Sequence, residues 1–329
     1  MLRLVFTKDD VFRVRVARQP DPLWETVLSL TLLGSSDARA VLGPWRAQAR
    51  EALRGLPRPQ LRLLRQLVPP VGDFPDFLTP AEASQGVEAG MDVVLSTPRS
   101  RLRRELAPLP GASSWASPLA AGDDEALVLL GDALSAYHET VIAPYASQMQ
   151  ALVDAERAVC ARSVLDHSGE GLLDRLGPTM RWKPPVLEVD YPVRHEIRLN
   201  GRGLLLLPSA FCWRVPVTLV DPSLPPVLVY PVSRNLEWWA GPGGHGSEIL
   251  ANLLGRTRAA CLKVIESGCT TGEMARRVGA TASSASQHAT TLREAGLITS
   301  TRQANEMIHT LTPLGTELLR LNPTSALAR

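Results

Sequence analysis

Between Thr281 and Gly296 the chain carries short polar side chains at spacings that a helix would gather on one side. They are Ser283, Ser284, Gln287, His288 and Thr291, with Arg293 in the last turn. Ala282, Ala285, Ala289, Leu292 and Ala295 fill the opposite stripe, so the pattern predicts an amphipathic helix with a small apolar face. The chemistry open to the polar side is hydrogen-bond recognition. A glutamine amide presents donor and acceptor side by side and matches the major-groove edge of adenine, whereas hydroxyls and imidazole suit phosphate or guanine. Thr281 is placed to cap this helix, where free amides and the positive dipole end favour anions. A merely solvated polar face is the competing reading, and this helix alone leaves it open.

The neighbouring elements break the tie. Upstream, SEILANLLGRTRAACLKVIES predicts one helix with a broad apolar face (Ile249, Leu250, Leu253, Leu254, Cys261, Leu262, Val264 and Ile265) ended by Gly268. Thr271 is placed to cap a short helix, TGEMARRVG, with Met274, Ala275 and Val278 facing inward, and Gly279 makes the turn into the polar helix. After Gly296 come two strand-like runs, GLITSTR and EMIHTLT, and then Thr312-Pro313 as N-cap and first residue of a last helix. Helix, turn, helix and two strands predict a winged helix-turn-helix, whose second helix would enter the major groove of duplex DNA. Arg302, the one basic residue between Gly296 and Leu318, would anchor the wing to phosphate.

Other chemistries find little support. There is no G-x-S-x-G, Walker loop or H-E-x-x-H, and His138-Glu139 is followed by Thr140, Val141 and Ile142. Cys160, Cys212, Cys261 and Cys269 form no C-x-x-C or Cys/His cluster, so buried thiols are the simpler reading. Asp166, His167 and Glu170 suit a solvated helix end better than a metal. The run Arg99-x-Arg101-x-Arg103-Arg104 reads as a solvated helix face, with DNA phosphate as its less favoured partner. Neither enzyme activity, cofactor nor metal is expected. The β-rich stretch holds Trp182, Phe211, Trp213 and Tyr230, followed by Trp238 and Trp239. These rings could line a pocket for a neutral or weakly polar organic effector, or simply fill the core.

With 329 residues, 45% hydrophobic and 21% charged, the chain can bury two ordinary cores. No apolar run reaches the roughly 18 to 20 residues of a membrane span. The N-terminus turns charged at Lys8, which predicts no signal peptide and a cytoplasmic protein. From Gly246 onward there are nine Lys/Arg against six Asp/Glu, and before it 26 against 27, a mild basic bias of the sign that DNA attracts. LRLVF and VFRVRVA read as two strands joined by a turn at residues 7–10, and LWETVLSLTLLG as a helix stopped by Gly34. Residues 37–177 read as mainly helical with proline-rich joints at 57–60, 68–80 and 107–118, the longest helix running from 123 to about 166 with a bend at Pro144. VLEVDY, HEIRLN, GLLLLPS, VPVTLV and VLVYPV predict an antiparallel sheet. Glycines at 241–246 predict a linker.

The segments LLGRTRA (253–259), SSASQHATTLREAGLI (283–298) and LTPLG (311–315) resemble the ArsR-type winged-helix family of bacterial transcription regulators. Upstream, PDFLTP (75–80), WKPPVLEVDYP (182–192), GRGLLLLPSAFCW (201–213) and PPVLVYP (225–231) look like an uncharacterised domain that commonly precedes such winged helices. The resemblance implies a homodimer on a near-palindromic duplex operator, paired through helices around 250–265 and 313–321. Three departures stand out: TGEMARRVG carries no cysteine pair for metalloid sensing, Ala285 and Ala289 replace larger aliphatics, and the wing is poor in arginine.

The fold expected is therefore α+β. Residues 1–240 form a mixed effector-sensing or assembly domain with a helical section and a small antiparallel sheet, and a linker at 241–246 leads to a winged helix-turn-helix at 247–322. The expected function is ligand-responsive, sequence-specific transcriptional regulation without membrane association. The alternative is a scaffold whose degenerate winged helix no longer binds DNA.

Overall fold

The computed structural model describes residues 1–35, 39–232, 246–303 and 306–320. The chain divides into two compact units, Met1–Leu236 and Glu237–Arg329, each mixing helix with small sheets. Trp238, Trp239 and the glycines at 241–245 lie outside the described residues.

The N-terminal unit opens with β1 (Leu2–Val5), α1 (Lys8–Phe12) and β2 (Val14–Val16). Two strands joined by a turn were expected here. Instead Thr7 and Asp10 close a capping box that starts a helical turn, which draws Val11 and Phe12 out of the second strand and sends the two strands to different sheets. Helices follow: α2 (Pro22–Gly34), α3 (Arg39–Ala52), α4 (Arg58–Leu67), α5 (Val87–Leu95), α6 (Arg99–Leu106), α7 (Ala112–Trp115), α8 (Ser117–Ala120) and α9 (Asp124–Tyr137). Asp21 starts α2, its carboxylate accepting from the amides of Leu23 at 3.1 Å and Trp24 at 3.0 Å. This helix is buried on nearly every side, and the Arg46 guanidinium caps its far end on the Leu32 carbonyl at 2.8 Å.

A π-turn at His138–Ile142 and a 3-10 turn at Ala143–Tyr145 connect α9 to α10 (Ala146–Asp174), so the long helical stretch is remodelled where Pro144 denies it a donor. By length and composition the stretch Asp124–Leu165 could cross a membrane. It packs Leu130, Leu134, Tyr137, Val141 and Ile142 into the core, and Asp124, Glu125, Asp132 and Glu139 interrupt its apolar runs.

The expected antiparallel sheet is corrected to two sheets. One has four strands in the order β3 (Met180–Lys183), β4 (Val186–Val189), β1 and β5 (His195–Arg198), with β1 antiparallel to β4 but parallel to β5. The other is wholly parallel and runs β2, β6 (Leu204–Ser209), β7 (Val227–Pro231). The unbroken LLLL of β6, buried at five of six positions, is what a parallel strand covered on both faces requires. VPVTLV contributes only an isolated bridge from Val217 to Val229. Leu2, Leu4, Leu187, Ile197, Leu206 and Leu228 form the sheet core, closed by Leu172 and Leu173 of α10.

Three buried carboxylates hold the chain that follows these strands. Asp10 accepts from the Gly203 amide at 2.8 Å. Asp76 accepts from Val220 at 3.0 Å and Asp221 at 2.7 Å. Glu25, fully buried, accepts from the Ala210 amide at 2.9 Å, the Phe211 amide at 3.0 Å and the Ser209 hydroxyl at 2.9 Å.

In the C-terminal unit, the single first helix that was expected is two, α11 (Gly246–Leu254) and α12 (Arg256–Val264). Gly255 between them takes φ +84°, a conformation open to glycine and costly to other residues. Then come β8 (Cys269–Thr270), α13 (Thr271–Val278), α14 (Ala282–Glu294), β9 (Ile298–Gln303), β10 (Glu306–Leu311) and α15 (Pro313–Arg320). The three strands form a sheet with β10 in the centre.

Candidate nucleic-acid interface

The two helices of this unit are set by local chemistry. Thr270, not Thr271, caps α13. Its hydroxyl accepts from the Glu273 amide at 3.2 Å, and the Glu273 carboxylate accepts from the Thr270 amide at 3.3 Å. Gly279, in the left-handed conformation, ends the helix. Thr281 then caps α14 as expected, accepting from the Ser284 amide at 3.2 Å. Ala285, Ala289 and Leu292 are buried against the unit's core with Cys261, Leu262, Met274 and Ile298. Ala282 and Ala295, expected on the same stripe, are exposed, since they stand at the two ends of α14 as its first residue and its C-cap.

A turn of about 100° per residue sorts the polar residues. Ser283 and Gln287 lie on the line opposite the alanines and are exposed, as are Thr291 and Arg293 to either side. Ser284 and His288 sit on the flank, half-buried, and bond to each other with Oγ and Nε2 3.2 Å apart. The Thr291 hydroxyl turns back to donate to the Gln287 carbonyl at 3.2 Å. Sequence reasoning missed that Glu294 falls on the same outward line and is exposed. It also assigned no role to Arg276 and Arg277, an exposed basic pair in the last turn of α13.

Beyond α14, β9 and β10 pair antiparallel from Ile298↔Leu311 to Gln303↔Glu306. Arg302 is exposed and stands opposite Met307; Ala304 and Asn305 lie outside the described residues. The LTPLG segment anchors the base of the hairpin. The Thr312 hydroxyl donates to the Gly296 carbonyl at 2.7 Å and accepts from the Gly315 amide at 3.1 Å. A side chain at 315 would collide with the Leu297 carbonyl, so α15 meets the strand this closely only because residue 315 is glycine.

The aromatic residues of the N-terminal unit are spread over separate contacts. Trp182 packs edge-on against Phe6 at 5.0 Å, and Phe211 tilts against Trp45 at 4.9 Å. The Tyr230 hydroxyl donates to Glu156 Oε1 at 3.3 Å, and Trp213 is half-buried. The Trp182 indole N–H is buried without a hydrogen-bond partner among the described residues. No group of three or more His, Cys, Asp or Glu with metal-binding geometry occurs among the described residues, and the side chains of Asp166, His167 and Glu170 lie outside them. Arg101 and Arg104 are engaged in ion pairs with Glu105 and Asp221.

No family model, characterised relative or solved structure matches this chain.

Proposed function

We propose that the chain is a cytoplasmic, sequence-specific DNA-binding transcriptional regulator whose C-terminal unit is a winged helix-turn-helix of the ArsR type. The observation that carries this reading is the exposed polar line of α14, backed by a small, tightly buried alanine face and followed by the β9–β10 hairpin. In this arrangement α14 enters the major groove, and Gln287 reads a base with Ser283 and Thr291 beside it. Arg276, Arg277, Arg293 and Arg302 supply phosphate contacts. Glu294 would face phosphate unfavourably, which confines base contact to the first three turns. Ser284 and His288 support α14 from its flank rather than lead the reading.

The reading includes a homodimer, which would set two copies of α14 one turn of duplex apart. The N-terminal unit then responds to a small organic effector held near some of Trp182, Phe211, Trp213 and Tyr230. The unspent indole donor of Trp182 supports that role. Fluorescence anisotropy of the full chain with duplex from upstream of its own gene, against a scrambled duplex, tests DNA binding. Tight binding that discriminates between the two is expected. Binding to neither favours the scaffold reading, which the single arginine of the described hairpin and the outward Glu294 support. Tryptophan fluorescence with a panel of apolar metabolites tests the effector, with quenching and a raised melting midpoint expected.

A further inference from the structure

His309 occupies the middle of β10, the central strand of its sheet, where its backbone pairs with Cys269 of β8 on one side and Ser300 of β9 on the other. Its imidazole is 3% exposed. Both ring nitrogens are engaged: Nδ1 lies 2.8 Å from the Ser300 hydroxyl, and Nε2 lies 2.9 Å from the hydroxyl of Thr271 in the first turn of α13. A neutral imidazole offers one donor and one acceptor, and each hydroxyl can rotate to serve either, so both tautomers satisfy the bridge. One side chain thus ties the hairpin to the first of the two helices.

The register shows what this tie controls. His309 and Ser300 are directly opposed, and so are Arg302 and Met307 two residues nearer the tip. Directly opposed residues share a face, as do residues two apart on a strand. His309, Ser300 and Arg302 therefore stand on one face of the hairpin, with the imidazole at the end fixed to α13 and the arginine toward the free end. The hairpin is held at its base by Thr312 and along β10 by the short backbone pairing with β8; the imidazole adds a side-chain attachment to α13 itself.

We infer that His309 is a positioning residue for nucleic-acid binding, which sets the angle of the β9–β10 hairpin against α13 and so delivers Arg302 to the phosphate backbone. This rests on the DNA-binding reading above. A merely structural histidine would change stability and leave the number of phosphate contacts alone. A positioning histidine changes that number, which is read as the slope of log affinity against log salt.

The test measures this slope on the full chain for wild type, Arg302→Ala, His309→Leu, the double variant, Ser300→Ala and His309→Gln. Arg302→Ala should lower the slope by about one unit. His309→Leu should lower it by the same amount, and the double variant by no more than either alone. Glutamine, which keeps an amide donor and acceptor near Nε2, should restore part of the slope. Should His309→Leu fail to fold, Ser300→Ala carries the same expectation with a smaller perturbation. A wild-type slope in His309→Leu or Ser300→Ala, or additive losses in the double variant, overturns this inference while leaving the DNA reading intact. A wild-type slope in Arg302→Ala does the same. Absence of salt-dependent DNA binding by the wild type overturns both.

Discussion

The two units are held together by opposite means. In the N-terminal unit the decisive polar contacts are carboxylates bonded to backbone amides far away in sequence, from Asp10 to Gly203, Glu25 to Ala210 and Phe211, and Asp76 to Val220 and Asp221. In the C-terminal unit many are neutral hydroxyls bonded three residues away, at Thr270, Thr281 and Thr312. A long-range carboxylate clamp fixes where two segments meet but leaves a charge that burial opposes. A local cap fixes only where a helix begins, at little cost. The first unit is thereby specified by tertiary contacts and the second largely by its own local sequence.

The contrast breaks most sharply at Glu25. Glu25→Ala leaves two amides and the Ser209 hydroxyl buried without their acceptor, and should cost about 4 kcal/mol of N-terminal unit stability. Urea unfolding followed by tryptophan fluorescence measures this, since five of the seven tryptophans, Trp24, Trp45, Trp115, Trp182 and Trp213, are in that unit. A loss below about 1 kcal/mol would mean the clamp is not what fixes this segment.

Acidity should act in opposite senses at Glu25 and at His309. Burial pushes the Glu25 carboxyl up from 4.5 to about 7, against the pull of its hydrogen bonds and with help from Asp21. Asp21 itself rises to about 6, again through burial. For a raised carboxyl, stability is fully present below the unfolded value and is lost as pH rises through the folded one. The N-terminal unit should therefore lose about 3 kcal/mol from Glu25 between pH 4.5 and 7, and Glu25→Gln should flatten that slope. His309 goes the other way: burial, then Arg293, lower its pKa. The C-terminal unit should accordingly lose stability as pH falls below about 6.5, which amide exchange resolved by segment would show.

Ala285, with none of its surface exposed, tests whether the small core of α14 is tight. Ala285→Leu should destabilise the C-terminal unit by about 2 kcal/mol through overpacking. Stabilisation would instead show that the small residue leaves room to fill. At the surface, Gln287→Ala should lose about 1 to 3 kcal/mol of discrimination between operator and scrambled duplex. Tryptophan-monitored unfolding should stay unchanged. Unaltered operator preference would remove Gln287 from the reading face.

This division also explains what was legible in the sequence. The caps at Thr281 and Thr312, the turn at Gly279 and the burial of Ala285, Ala289 and Leu292 were readable because each depends on neighbours within a turn or two. The break at Gly255 was not, because an apolar stripe continues across it and only the backbone angle reveals it. In the N-terminal unit α2 was visible from its spacing, but the sheets were misread. That β1 lies between β4 and β5 depends on partners nearly 200 residues away, which no local pattern records. At the candidate interface the polar residues were visible as a group. The pairing of Ser284 with His288 and the strut through His309 needed the helix rotation and strand register.

The pairing of β1 has a consequence for synthesis. This first strand is hydrogen-bonded on both sides to strands that begin at residues 186 and 195, and β2 waits for β6 at 204. Neither sheet can form on the ribosome until most of the unit has emerged, so the helices between them are made and held in an unfinished state first. A chain of which residues 1–174 alone had left the tunnel would expose Leu2, Leu4, Leu172 and Leu173 together, a natural substrate for chaperones. The C-terminal unit emerges after it, and with its short-range contacts it should fold almost as soon as it clears the tunnel.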